Sequence, residues 1–335
     1  MKIGLDIMSG DNAPLSNING AIRYIQNSKS KDNCIVLYGN ENILNNNKNL
    51  ISKNKKRIST FSTSQIINMN DSPSVAFKSK RNSSMIKIID HLNENKVDAA
   101  VSSGNTGALL ASSLLILGKI EGIRRPALAP FIPIGKKGFI LCDAGANTDV
   151  KPEHLLQFAF MASAYIEHLD KINNPSIGLL NIGTERNKGN QLTKNTFELL
   201  ENNFKNFIGN IESRSLFDNK VDIVICDGFT GNIVLKLIEG TIHSMINTTM
   251  KSVNSHSISK IVKPVLYPVF KDIKKSFDYE EHGGTPLLGV NGIVTKCHGA
   301  SNDKAIENAL LNTQKSFEND LINDIKKNLI KITKN

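Results

Sequence analysis

The run Val97-Asp98-Ala99-Ala100-Val101-Ser102-Ser103-Gly104-Asn105-Thr106-Gly107-Ala108-Leu109-Leu110 decides the fold. Its first five residues are apolar almost throughout, as expected of a parallel strand covered on both faces. A turn of Ser, Gly, Asn and Thr follows, and then a segment long enough for a helix at 106–120. The same succession of strand, small polar loop and helix recurs on either side. Further strands are expected at 2–7, 34–38, 138–141, 177–182 and 221–226, and helices at 15–26, 75–92, 152–168, 191–203, 232–250 and 303–329. At 42–56, Ile43, Leu44, Leu50 and Ile51 are spaced for a surface helix. Such alternation predicts an α/β fold with helices wrapped around a mostly parallel sheet. No charge-rich or Pro/Gly/Ser linker divides the 335 residues, so 1–335 is expected to be one domain.

Composition narrows the function. With 40% apolar and 21% charged residues the chain can bury a full core. The longest apolar stretch, 108–117, is interrupted by Ser112 and Ser113 and falls well short of the roughly 20 residues that cross a bilayer. Lys2-Ile3-Gly4-Leu5-Asp6 enters a strand with no apolar leader or cleavage site, so a cytoplasmic location is expected. Cys34, Cys142, Cys226 and Cys297 are scattered without a CxxC pair and read as reduced core thiols. The net charge of +10 suits an acidic partner, nucleic acid or an anionic membrane surface. A genome biased toward Lys, Asn and Ile codons accounts for it equally well, and no nucleic-acid partner is expected.

Four loops share one chemical character: Ser102-Ser103-Gly104-Asn105-Thr106-Gly107, Asp143-Ala144-Gly145-Ala146-Asn147, Asn181-Ile182-Gly183-Thr184 and Asp227-Gly228-Phe229-Thr230-Gly231-Asn232. In an open α/β sheet such loops border the crevice beyond the carboxyl ends of the strands. Small residues let backbone N–H groups approach a ligand, and helix N-termini favour anions. Any one loop reads equally as a turn whose Asp, Asn, Ser or Thr caps the next helix. Four together point to a phosphate or carboxylate site. There is no GxxxxGK[ST], no GxGxxG after a strand and no GxSxG, which argues against ATP, NAD and serine-hydrolase chemistry. Neither the histidines nor the cysteines have metal-ligand spacing, so no metal and no cofactor is expected.

Lys188, flanked by Gly189 in the loop after 177–182, is placed to meet an oxyanion as a point charge, or is a solvated loop lysine. The loop at 279–292 combines Glu280, Glu281, His282 and several glycines, and reads either as a pocket lining or as a tight hairpin into an edge strand. Within an amphipathic segment at 240–280, Ile261, Val262, Val265, Leu266 and Val269 share a helical face with Lys260 and Lys263 mostly off it. Pro264 and Pro268 break it into two short helices or a kinked one. It suits either an anionic bilayer or a core or dimer interface.

Taken in order, these motifs resemble the PlsX family, the phosphate acyltransferases of bacterial phospholipid synthesis. The resemblance runs from Asp6-Ile7-Met8-Ser9-Gly10-Asp11-Asn12-Ala13-Pro14 through Asp71-Ser72-Pro73-Ser74, the four loops, Lys151-Pro152-Glu153-His154, Lys188-Gly189-Asn190 and Gly284-Thr285-Pro286-Leu287-Leu288-Gly289 to Lys296-Cys297-His298-Gly299-Ala300-Ser301-Asn302. The family usually has a second Gly and a His where this chain has Ser9 and Asn12.

The resemblance implies a three-layer α/β/α sandwich similar to phosphotransacetylases, a homodimer, and transfer of a fatty acyl group from acyl carrier protein to inorganic phosphate. Phosphate and substrate would be held by Ser103, Gly104, Asn105, Thr106, Gly107, Gly145, Asn147, Asn181, Gly183 and Gly231. Lys188 would offset negative charge, and the Asn232 amide would orient the thioester carbonyl or its oxyanion. Asp143 and Asp227 would orient these donors or act as acid and base. Apolar residues at 108–117 and 233–246 would wall the acyl chain. A membrane acyltransferase would receive the product at the inner face of the bilayer. A phosphotransacetylase-type enzyme using acyl-CoA and a non-catalytic membrane-surface scaffold stay open as alternatives.

Overall fold

The computed structural model describes residues 1–28, 30–135, 137–170, 172–255, 268 and 283–333. Its strands are β1 (Lys2–Asp6), β2 (Cys34–Asn40), β3 (Ile58–Thr63), β4 (Ala99–Ser102), β5 (Ala127–Leu128), β6 (Phe131–Ile134), β7 (Lys137–Cys142), β8 (Ile177–Asn181), β9 (Phe207–Glu212), β10 (Ile223–Ile225), β11 (Thr285–Leu288) and β12 (Ile293–Lys296). They sort into two sheets, β3-β2-β1-β4-β12-β11-β5 and β6-β7-β10-β8-β9. Most neighbours are parallel; β11 is antiparallel to both β12 and β5, and β6 to β7. The fold is therefore α/β as expected, with the strands divided between two sheets where the alternation suggested one. The difference comes from β5, β6 and the β11–β12 hairpin, short segments interrupted by Pro130, Pro133 and Pro286 that give weak periodic signals.

The helices are α1 (Leu15–Asn27), α2 (Glu41–Asn46), α3 (Lys48–Ser52), α4 (Pro73–Ser79), α5 (Ser84–Asn93), α6 (Thr106–Ile116), α7 (Pro152–Asp170), α8 (Gln191–Asn203), α9 (Gly228–Ser255), α10 (Asp303–Glu318) and α11 (Leu321–Thr333). Three expected helices are broken. The segment at 75–92 divides because Ser83 caps α5, accepting from the Ile86 N–H at 3.4 Å, while Lys80 pairs with Asp71. The segment at 303–329 divides at Asp320, which has a left-handed φ of 56°. The segment at 42–56 becomes α2 and α3.

One apolar cluster joins both sheets. Ile3, Leu5, Ile35 and Val101 of the first sheet and Ile140, Ile177, Leu179 and Ile223 of the second pack with Phe158, Ala159, Ala162 and Ile166 of α7. Helix α7 is apolar on nearly every face, the pattern of a helix buried in the middle of a domain. Around this core the sheets are oriented so that the carboxyl ends of β4, β7 and β12 approach one another.

Candidate active site

A cavity of about 520 Å³ opens there, between the sheets. Thr106 at the start of α6, Gly145 after β7, Asn232 in the first turns of α9, and Lys296, His298 and Gly299 at the end of β12 line its polar side. Leu128, Pro130, Phe131, Ile132 and Leu235 form an apolar wall.

The loop after β7 is built by Asp143. This fully buried carboxylate accepts from Leu128 N (2.9 Å) and Ala146 N (3.1 Å) on Oδ1, and from Asn147 N (2.7 Å) and Asn147 Nδ2 (2.9 Å) on Oδ2. Burial raises its pKa, and these four bonds pull it back. A carboxylate so engaged orients the loop, with no oxygen free for the cavity. Asn147 also donates to the Pro126 carbonyl at 2.7 Å, and its own carbonyl accepts from Gly228 N at 2.7 Å. Gly145, at φ 121°, turns its backbone toward Asn232.

Asp227 caps α9. Its carboxylate accepts from the Thr230 N–H (2.8 Å) and hydroxyl (2.7 Å). A Cβ on Gly231 would overlap the Asp143 carbonyl oxygen, so only glycine lets the first turn of α9 lie directly on the β7 loop and bring Asn232 beside Gly145. In the β4 loop, Asn105 caps α6 through Ala108 N (2.9 Å) and donates to the Met69 and Asp71 carbonyls (2.8 and 3.0 Å). Gly104 packs on Met85 and Gly107 on Pro73. Of that loop only Thr106 lines the cavity; Ser103 is buried beside Cys297.

The β8 loop stands apart. Asn181 donates to the Lys188 carbonyl at 3.1 Å and caps Ile182 N at 2.8 Å, while Gly183 lies against the Lys188 and Glu185 side chains. Asn181, Gly183 and Lys188 are absent from the cavity lining, and Lys188 is exposed. The structure thus brings together Thr106, Gly145 and Asn232, with Asp143, Asn147, Asp227 and Gly231 behind them. The apolar residues of α6 are largely core: Ala108 and Leu109 pack with Ile86 and Val294. The apolar wall comes from the β5–β6 segment, for which the sequence pattern gives no element, together with Leu235 of the 233–246 stretch expected to contribute to it.

Cavity residues that the sequence reading did not single out include Asp11, Lys296 and His298. A lysine closing an otherwise apolar strand was the available signal. Burial lowers the Lys296 pKa against the opposing influence of the Cys297 thiol and the Asp6 and Asp11 carboxylates. Burial, reinforced by Lys296, likewise lowers that of His298. It pushes the Cys297 thiol up to about 12 and raises the Glu239 carboxyl on the α9 wall. Asn12, where the resembled family has His, ties the first loop to β12 by donating to the Ala300 carbonyl at 2.9 Å.

The loop expected at 279–292 does both things expected of it: Gly284 and Thr285 line the cavity, and β11 turns back on β12, though inside its sheet and not at an edge. Glu280, Glu281 and His282 lie outside the described residues, as do Lys260, Ile261, Val262, Lys263, Val265, Leu266 and Val269. Among the described residues no helix is long and apolar enough to cross a membrane, and no His, Cys, Asp and Glu cluster could hold a metal ion.

The family model described as fatty acid synthesis protein matches residues 1–323. A phosphate acyltransferase from Dictyoglomus thermophilum is 44% identical over 335 residues, covering 99% of each chain. One from Geobacillus sp. strain WCH70 is 42% identical, covering 97% of this chain and 98% of its own. Among solved structures, a phosphotransacetylase from Streptococcus pyogenes superimposes with a TM-score of 0.61 at 14% identity, covering 95% of this chain and 94% of its own. A branched-chain phosphotransacylase from Enterococcus faecalis gives 0.58 at 12%, over 95% and 99%. At such identities these two likenesses concern the fold alone.

Proposed function

Since the chain belongs to the fatty acid synthesis protein family, with phosphate acyltransferases as near relatives, we propose that it transfers a fatty acyl group from acyl carrier protein to inorganic phosphate, supplying acyl phosphate for phospholipid synthesis. The observation that carries this reading is the two-sided cavity, with Thr106, Gly145, Asn232 and Lys296 facing Leu128, Phe131, Ile132 and Leu235. One side suits an anion and a carbonyl, the other an alkyl chain.

Phosphate near neutral pH has a large dianionic fraction, its second pKa lying at about 6–7 by analogy with phosphoryl groups, so its attack on a thioester needs little help from a base. A phosphate oxygen bonds to the thioester carbonyl carbon and the carbonyl becomes an oxyanion. The C–S bond then breaks, and the sulfur leaves with the electron pair as a thiolate that takes a proton from water. The protein's part is positioning and charge. The Asn232 amide donates to the oxyanion, with the Gly145 backbone beside it. Lys188, exposed and outside the cavity lining, lends only a solvent-screened charge to the oxyanion. Asp143 and Asp227 hold the loops that carry these groups.

The reading extends to partners. An apolar row of exposed residues on α9, Phe229, Ile233, Leu237 and Met245, is available to a second copy in a homodimer. The 240–280 segment would rest on an anionic bilayer in the cytoplasm, where a membrane acyltransferase takes the product. Light scattering tests the dimer. Liposome flotation, with charge reversal at Lys260 and Lys263, tests the attachment.

The reaction is tested by trapping acyl phosphate made from phosphate and palmitoyl-acyl carrier protein, with palmitoyl-CoA in parallel. Product from the carrier thioester is expected. Product from CoA alone identifies a phosphotransacetylase-type enzyme, and product from neither, in folded protein, overturns acyl transfer in favour of a scaffold.

A further inference from the structure

Lys296 is a buried lysine whose ammonium meets no counter-ion among the described residues. It closes β12 with 8% of its surface exposed, and its ammonium donates to the carbonyl of Cys297. Among the described residues it makes no ion pair. An ammonium has three protons to donate, and a buried charge is stable only when paired. The two nearby carboxylates do not fill the gap. Asp6 is occupied by the Ser84 and Ser102 hydroxyls (2.6 and 2.7 Å) and by Met8 N (3.0 Å), and Asp11 lines the cavity without touching the ammonium.

What surrounds Lys296 favours a small anion. Thr106, in the same cavity, is the first residue of α6, where N–H groups lack intrahelical acceptors and the helix dipole is positive. On the strand beside β12, Lys296 is paired in register with Ser102. The next residue, Ser103, has a buried hydroxyl with no partner stronger than the Cys297 thiol. Lys188, by contrast, is exposed and outside the cavity lining.

We propose that Lys296 binds the phosphate acceptor, the incoming anion serving as the ion-pair partner that no described side chain supplies. This rests on the reading of the protein as an acyltransferase to phosphate, and it moves the phosphate-holding charge from the β8 loop to the end of β12. The anion held is inorganic phosphate itself, set against the start of α6, and not a phosphodiester belonging to the acyl donor.

Calorimetry of inorganic phosphate binding to the purified full-length protein tests this without turnover. Lys296→Met keeps the aliphatic stem and removes the charge. It is expected to weaken phosphate binding at least about tenfold, the size of one charge-assisted contact, and Lys194→Met, at an exposed lysine of α8 with no part in the site, to leave it within about threefold. If Lys296→Met fails to fold, lysine modification of the wild type, read by mass spectrometry, takes its place. Saturating phosphate should then protect Lys296 and leave Lys194 unchanged. Unaltered phosphate affinity in a folded Lys296→Met variant, protection of Lys188 in place of Lys296, or no phosphate binding by the wild type overturns the proposal. So does a rise in KM confined to the acyl donor. Phosphate binding through Lys296 with no acyl phosphate from either thioester would support the contact and overturn the reaction.

Discussion

One oxygen of Asp143 holds Asn147 twice: Oδ2 accepts from its backbone N–H at 2.7 Å and from its side-chain amide at 2.9 Å. With Oδ1 taken by Leu128 N and Ala146 N, the carboxylate fixes the whole turn that presents Gly145 to the cavity. Asp143→Asn puts an N–H₂ against two of these four donors. Leaving buried donors unsatisfied should cost about 2–3 kcal/mol, read as a lower urea midpoint with an unchanged m-value. The same variant should raise KM for phosphate, because the loop shifts.

The contact between α9 and this turn predicts opposite outcomes for two glycines in one helix. A methyl group at Gly231 meets the Asp143 carbonyl oxygen, whereas one at Gly240 meets nothing within 4 Å. Gly231→Ala should destabilise by about 3 kcal/mol or more through overpacking against backbone and abolish acyl transfer. Gly240→Ala should stabilise by about 0.5–1 kcal/mol through helix propensity. Thermal melts of the two variants side by side decide the matter.

For the reaction itself, Asn232→Ala should lower kcat by about 10²–10³, the usual loss of one oxyanion donor. Lys188→Ala should lower it by a smaller factor, about tenfold, because an exposed charge is screened by solvent. Single-turnover acyl phosphate formation measures both. Turnover within twofold of wild type in both variants would remove these residues from the mechanism.

Three histidines set the response to acid. The pKa values of His91, His154 and His298 are all lowered from the ordinary 6.5, in each case chiefly by burial. His154 and His298 also accept backbone N–H groups on Nδ1, from Lys151 at 3.1 Å and Ala300 at 3.2 Å, which a protonated ring cannot do. The unfolded chain therefore takes up protons before the folded one. The stability these groups contribute is complete above about 6.5 and lost as the pH falls through the depressed folded values. Melting temperature should decline between about pH 7 and 5, and His154→Gln, which can still accept from Lys151 N, should shallow the decline.

How far the sequence carried the reading depended on the length of each signal. Helix α8 was legible to both ends, because Asn190 caps it through Thr193 N and its apolar spacing is regular. The loops were found for their small residues, but whether Asn105 and Asp227 were caps or ligands turned on which N–H each side chain reaches, and the structure makes both caps. Lys188 stood out by its glycine neighbour, whereas Lys296 closes β12, a strand of four residues too short for the pattern to mark, so its burial went unread. The split into two sheets depended on β5 and β6, too short for periodicity to register.

The absence of side chains at Gly228 and Gly231 gives α9 a mechanical character. Its 28 residues extend about 42 Å at 1.5 Å per residue, and they are seated on the Asp143 turn at one end. That seat is a fulcrum, and Asn232 lies immediately beside it while Met245 rides far out on the arm. Loads applied to the far end would swing the arm widely yet displace the Asn232 amide very little, so the cavity end of the helix is insulated from whatever its distal half engages.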